Sequence, residues 1–285
     1  MSHTTAKSST IDLHVHTTAS DGTLCPGEVV RQAAACGIAW LGVTDHDSTA
    51  GLDEAIAEAE RLPEIQVIPG VELSATAREG GDLHLLGYCI DPDSSELQGR
   101  LNAFRRERQE RVYRIVERLR DAGVPITIEQ VADEAGDGAV SRAHIGRVLI
   151  ELGEVDTIGD AFNRWLGRGR PAFVPRPPLM VDDAIAMIRA AGGVSVLAHP
   201  LTMGRYERQL PEMLEAGLDG LECYYGPYSE EERQGLAAIA RKLGLIATGG
   251  SDFHGPDHRE GRELGGVYVP YEVLYALRSR APDCC

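Results

Sequence analysis

Apolar residues fall into two alternating patterns along most of the chain. Short runs beginning at Ile11 (IDLHV), Ala39 (AWLGVT), Gln66 (QVIPGVEL), His84 (HLLGYCI), Val194 (VSVLA), Gly220 (GLECY) and Leu245 (LIATGG) have the length and side-chain types of buried strands. Between them lie stretches of helical period with matching end signals. Pro26 opens PGEVVRQAAACG and Gly37 closes it, and EEERQGLAAIARKLG stops at Gly244. Strands alternating with helices predict an α/β fold of repeated βα units, arranged as a mostly parallel sheet or barrel.

From about Leu97 to Arg176 the rhythm changes to helices alone. In LQGRLNAFRRERQERVYRIVERLRDAG, the residues Leu101, Phe104, Val112, Ile115, Val116 and Leu119 recur at helical spacing with arginines on the other faces. TIEQVADEAG, SRAHIGRVLIELG and TIGDAFNRWLGRG follow before GGVSVLAHP resumes the βα pattern. The reading is one barrel domain in two parts, residues 1–96 and 177–285, interrupted by a helical insertion over 97–176.

Composition narrows the setting. A chain of 285 residues can bury a substantial core. It opens on the polar stretch MSHTTAKSST and has no apolar run near the ~18 residues that a membrane helix needs, so a cytoplasmic protein without a membrane association is expected. Six cysteines lie scattered without CxxC spacing, which predicts free thiols, with Cys284 and Cys285 as an exposed terminal pair. The net charge of −16 argues against general adhesion to nucleic acid or anionic membrane. Residues 100–180 nevertheless hold 14 Arg against 12 Asp and Glu. Only Lys7 and Lys242 are lysine, so a basic site here consists of guanidinium forks suited to phosphate.

The polar half of the first strand carries the chemistry. At period two, Asp12, His14 and His16 share one face while Ile11, Leu13 and Val15 share the other. Two neighbouring imidazoles cost a core desolvation unless something binds their nitrogens, and a divalent metal would bind both. Asp45 and His46 close another strand; Glu72 lies on or just after a third; His84 opens one; His199 ends one; Asp252 and His254 follow the last. In a parallel barrel the loops leaving the strand ends converge on one mouth. Histidine and carboxylate donors without cysteine suit Mn²⁺, Fe²⁺ or Zn²⁺. So many candidates exceed one coordination sphere and predict two or three ions with one bridging carboxylate. His3, in the tail, and His258, in PDHREGRE, are not counted among them.

In the insertion, Ser141 is placed to cap a helix whose first turn carries Arg142 and His144. Backbone N–H groups, a guanidinium and an imidazole at the positive end of one helix make a phosphate pocket apart from the metals. Arg147, one turn on, with Arg168 and Arg170 in GRGRP, extends the same patch.

The motifs HVHTTASDG, TDHD, GVELS, AHP and SDFHG, in this order, resemble the PHP (polymerase and histidinol phosphatase) family of metal-dependent phosphoesterases. That resemblance implies a distorted (β/α)₇ barrel and a trinuclear metal centre. Carried over residue by residue, it places His14, His16, Glu72 and Asp252 on one ion, Glu72, His84 and His199 on a second, and Asp21, His46 and His254 on a third. Glu72 is then the bridge. SRAHIGRVLIELG and FNRWLGRGRPAFVP are similar to the subgroup that includes 3',5'-nucleotide bisphosphatases and the 5'-to-3' exoribonuclease RNase AM.

These implications define an expected reaction. Adjacent divalent ions, Mn²⁺ foremost, would lower the pKa of a bound water and neutralise phosphoryl oxygens during in-line displacement. A metal-held hydroxide is the expected nucleophile, Glu72 the bridge, and His199 or Asp252 the group that steers protons. Adenosine 3',5'-bisphosphate (pAp), losing its 3'-phosphate, is the expected substrate. Short 5'-phosphorylated RNA, as the substrate of an exoribonuclease, is the first alternative. A histidinol-phosphate phosphatase, a metal-dependent amide hydrolase and a non-catalytic PHP module are the rivals. No obligate protein partner is expected.

Overall fold

The computed structural model describes residues 10–136, 140–175, 178–204, 206–256, 261–282 and 284. His3, His258, Cys285 and the expected boundary at Arg176 lie outside the described residues. Every run read as a strand is one: β1 (Ile11–Val15), β2 (Trp40–Val43), β3 (Gln66–Thr76), β4 (Asp82–Tyr88), β5 (Val194–Leu197), β6 (Gly220–Tyr225) and β7 (Ile246–Gly250). They form one sheet in sequence order. It curls into a nearly closed barrel, because the His14 carbonyl accepts the Asp252 N–H and the Phe253 carbonyl accepts the His16 N–H, each at 2.8 Å.

The sheet is mostly parallel, as expected, with one strand reversed. β4 runs antiparallel to both neighbours, with Glu72 opposite Leu86 and Leu85 opposite Leu197. Only five residues, Ala77–Gly81, separate β3 from β4. That is too few for a parallel crossover, which needs a dozen or more. Gly80 and Gly81 take the positive φ values, 85° and 112°, that let the chain reverse.

Ten helices accompany the strands among the described residues: α1 (Pro26–Ala35), α2 (Leu52–Ala59), α3 (Ser95–Asp121), α4 (Ile128–Ala135), α5 (Arg142–Glu151), α6 (Ile158–Ala161), α7 (Val181–Ala190), α8 (Tyr206–Ala216), α9 (Glu230–Leu243) and α10 (Glu272–Arg280). None is long and apolar enough to cross a membrane. The 27-residue α3 belongs to two cores. Its Leu97 and Leu101 pack into the main cluster of the barrel with residues such as Val71 and Ile185. Its Val112, Ile115, Val116 and Leu119 pack into a separate cluster with Ile145, Leu149 and Trp165. The helix therefore runs through the 96/97 boundary expected from sequence.

α10 lies at the end of the barrel away from the mouth. Arg278 stacks over Trp40 at the start of β2, and Arg280 reaches Asp219 just before β6. This placement overturns the expectation of free thiols for two of the cysteines. Cys284, 4% exposed, is disulfide-bonded to Cys89 beyond the end of β4, with their Cα atoms 5.0 Å apart. Contact between residues 195 positions apart leaves no trace in local spacing. Cys25, Cys36 and Cys223 are free thiols.

Candidate metal centre and adjoining pocket

β3 outruns β2 and carries Glu72 to the mouth, where its backbone bridges to His46. The side chain is fully buried. Oε1 lies 2.8 Å from His84 Nδ1 and 3.0 Å from His199 Nε2. Oε2 lies 3.0 Å from His46 Nδ1, 3.2 Å from His16 Nε2 and 3.4 Å from His14 Nε2. Five imidazole nitrogens thus surround one carboxylate. Asp252 Oδ1 stands 3.1 Å from His16 Nε2, and Asp21 Oδ1 stands 3.4 Å from His254 Nε2.

Donors about 2.1 Å from a common ion lie roughly 3.0–3.4 Å from one another, which is the spacing found here. The hydrogen bonding points the same way. Glu72 Oε2, Asp21 Oδ1 and His46 Nδ1 are buried and, despite their close polar neighbours, make no hydrogen bond of good geometry, a costly state that a cation would relieve. The residues therefore fit a metal centre. Three sets of donors lie close enough to hold an ion: His14, His16 and Asp252; His16, Asp21, His46 and His254; and His46, Glu72 and His84. The structure brings all nine expected ligands together, and His16 and His46 fall between neighbouring sets.

Burial works against charge on the acids, but imidazoles outweigh it. His46, His84 and His14 hold Glu72, and His46 and His254 hold Asp21, well below the usual carboxylate range. Conversely, Glu72 and Asp21 overcome burial at His46 and push it up to about 10. At His84 burial prevails and lowers the pKa.

Several groups that hold the ligands in place escaped the sequence reading. Glu222 accepts from His14 Nδ1 at 2.9 Å and from the His199 backbone N–H at 2.7 Å. Such partners fix a ligand's tautomer and orientation. Tyr225 O–H donates to Asp252 Oδ2 at 2.8 Å, and Arg262 Nη1 lies 2.8 Å from the same oxygen, which leaves Oδ1 for the histidines. Asp45, named with His46 among the candidate donors, is instead spent on Thr17 and Ser20 in the loop leading to Asp21. His199 and Asp252 have positive φ, 27° and 57°. Such backbones cost about 1–3 kcal/mol each.

Beside the centre, a pocket of ≈ 350 Å³ separates the barrel mouth from the insertion. Asp21, His46 and His84 line one side; Arg108, Arg111 and Arg142, with Phe104 and Phe162, line the other. Arg108 pairs with Asp47, which also accepts the Ser74 N–H at 2.9 Å. Arg111 Nε donates to the Val174 carbonyl at 2.7 Å. Neither arginine stood out in sequence, because α3 carries arginine on several faces.

The expected phosphate-binding residues divide. Ser141 is the N-cap of α5 and lines the pocket beside Arg142. His144 lies 2% exposed and accepts the Ser141 N–H at 3.0 Å, completing a capping box. Burial, aided by Arg147 and Arg108 against Asp21, lowers its pKa to about 4. Arg147 donates to the Asp21 carbonyl at 2.6 Å, tying the insertion to the loop of a ligand. Arg168 and Arg170 are exposed and outside the pocket lining.

The barrel and its ligand cluster define the class, and comparison with known proteins agrees: the chain belongs to the PHP domain family, whose model matches residues 12–125. It is a metal-dependent phosphoesterase of the PHP type. Similar proteins include the 5'-3' exoribonuclease of Haemophilus influenzae, 39% identical over 249 residues, or 86% of this chain and 90% of that one. The 3',5'-nucleoside bisphosphate phosphatase of Chromobacterium violaceum is 36% identical over 260 residues, 90% of each chain. A Bifidobacterium adolescentis structure assigned to the metal-dependent phosphoesterases superposes with a TM-score of 0.86 at 33% identity, covering 95% of this chain and 96% of that one.

Proposed function

We propose that the protein removes the 3'-phosphate from nucleoside 3',5'-bisphosphates, converting pAp to AMP and phosphate, with Mn²⁺ as the working metal. One observation carries the reading: a single pocket is lined by metal-ligand candidates on one side and by Arg108, Arg111 and Arg142 on the other. A substrate with two phosphates matches two such faces.

His14, His16, Asp21, His46, Glu72, His84, His199, Asp252 and His254 would hold the metals, with Glu72 between them. Bound divalent ions supply an activated water and neutralise charge on the transferring phosphoryl group. The chain's own groups do the remaining work. Arg142 and Arg108 hold the non-reacting phosphate and so fix the distance of the 3'-phosphate from the ligand cluster. Asp252 is engaged through both oxygens and 6% exposed, whereas His199, with Nε2 toward Glu72 and Thr202 Oγ1 3.0 Å from its Nδ1, is 14% exposed. His199 is therefore the proton carrier in this reading.

Exoribonuclease action on short 5'-phosphorylated RNA is the second reading. It is favoured by relatives named 5'-3' exoribonuclease at 38–39% identity, and it needs only a phosphodiester where the 3'-phosphate would lie. Phosphate release and product analysis with pAp, 3'-AMP, 5'-AMP, histidinol phosphate and a 5'-phosphorylated trinucleotide test both. Rapid conversion of pAp to AMP, with 5'-AMP untouched, is expected. Preference for histidinol phosphate would overturn the proposal.

A further inference from the structure

We propose that the substrate's nucleobase is held by stacking on Phe104 and Phe162, so that an aromatic ring face, rather than a base edge, completes recognition in the pocket. The inference rests on the nucleotide reading above and adds the component that the metals and arginines leave unaddressed. The chain has four phenylalanines, and two of them line this one pocket. Both are partly exposed. Phe104 packs in part against the main cluster of the barrel and Phe162 against that of the insertion, and each keeps part of its surface exposed beside the charged pocket.

The two rings come from different elements. Phe104 lies on the α3 face that also carries Arg108, Arg111 and Ile115, at helical spacing along the pocket wall. Phe162 opens a π-helical turn, Phe162–Leu166, in which the Gly167 N–H reaches back five residues to the Phe162 carbonyl at 2.8 Å. Such turns interrupt regular helices mostly at functional positions. Here the turn puts Phe162 in the wall opposite the barrel mouth.

Each ring also has a guanidinium nearby. Arg142 Cζ lies 5.0 Å from the centroid of Phe162, and Arg100 Cζ lies 5.5 Å from that of Phe104. Arg142 thereby supports Phe162 while lining the same pocket. Once one phosphate faces the ligand cluster and the other faces the arginines, the apolar surface left for the rest of a nucleotide is that of Phe104, Val112, Ile115, Ala143 and Phe162, beside the polar Ser74, Asp82 and Glu107. Planar bases stack on such surfaces whatever their edge pattern.

The test compares pAp with 1,4-anhydroribitol 3,5-bisphosphate, which keeps both phosphates and lacks the base. The parent enzyme is expected to favour pAp in kcat/KM by about 10- to 100-fold, the usual worth of one stacked base. Phe162→Ala and Phe104→Ala should each bring that preference down by about tenfold, and Phe162→Tyr should restore it. Because Phe162→Ala could disturb the insertion, quenching of 2-aminopurine 3',5'-bisphosphate fluorescence on binding gives a second readout, expected in the parent and in Phe162→Tyr and lost in Phe104→Ala. Equal losses on both bisphosphates, or no parent preference for pAp, would overturn the platform while leaving the bisphosphatase reading intact. Turnover of neither bisphosphate would defeat that reading, and the platform with it.

Discussion

At the barrel mouth Glu72 has no exposed surface and five imidazole nitrogens within 3.4 Å. Across the pocket Arg142 is partly exposed, stacks on Phe162 and donates to the Leu166 carbonyl at 3.4 Å. The first region is built from the strands of one sheet and the loops that leave their ends, and its side chains are held from behind by Glu222, Tyr225 and Arg262. The second is built from helices with their own small core, and its arginines divide their donors between the pocket and the chain. Strand ends, with buried anchors behind them, hold what the chemistry requires to be fixed. Helices hold what can vary with the substrate, since re-aiming an arginine costs far less than moving a buried ligand.

The sharpest way to break this contrast is at its rigid side. Glu72→Gln should lower kcat by at least about 1,000-fold, or about 4 kcal/mol, with a circular dichroism spectrum like the parent's. Activity within tenfold of the parent would remove Glu72 from the centre. Arg142→Ala probes the adjustable side, and should lower kcat/KM for pAp by about 30- to 1,000-fold, or roughly 2–4 kcal/mol, against less than about threefold for 3'-AMP. Equal losses on the two substrates would place Arg142 at the reacting phosphate or in folding.

Smaller changes sharpen the boundary between the regions. Glu222→Gln should weaken metal binding by about 10- to 100-fold in a chelator competition, because His14 and His199 lose a shared anchor; unaltered affinity would make Glu222 a core residue only. His144→Gln keeps a capping-box side chain and removes a titration. A buried histidine with its pKa lowered to about 4 stays neutral in the folded chain while the unfolded chain takes up a proton below about 6.5, so its contribution is present above that pH and is lost as pH falls towards 4. Between pH 7.5 and 5 the parent should lose about 2 kcal/mol more unfolding free energy than the variant in urea titrations. Parallel pH profiles would show that His144 is open to solvent.

All seven strands were legible because buried strands are short, apolar and bounded. The reversal of β4 could also have been read, since Ala77–Gly81 leaves no room for a crossover helix. The ligand histidines announced themselves by clustering at strand ends. Glu222 offered a fainter signal as an acid inside the apolar run GLECY, which a core tolerates only with partners. Arg108 and Arg111 offered none. Which face of a long arginine-rich helix meets a pocket depends on how the helix is docked, and periodicity does not contain that. The same limit hid the Cys89–Cys284 pairing.

For anyone cutting or grafting this protein, α3 sets the rules. A chain whose inserted segment hung from two loops could donate it, or lose it, as a cassette. Here the first turns of the helix fill the barrel with Leu97 and Leu101, and its last turns fill the insertion with Ile115 and Leu119. Excision at residue 97 would take two buried leucines from the barrel, at about 2–5 kcal/mol for each cavity left. Barrel and insertion must be inherited, exchanged or redesigned together.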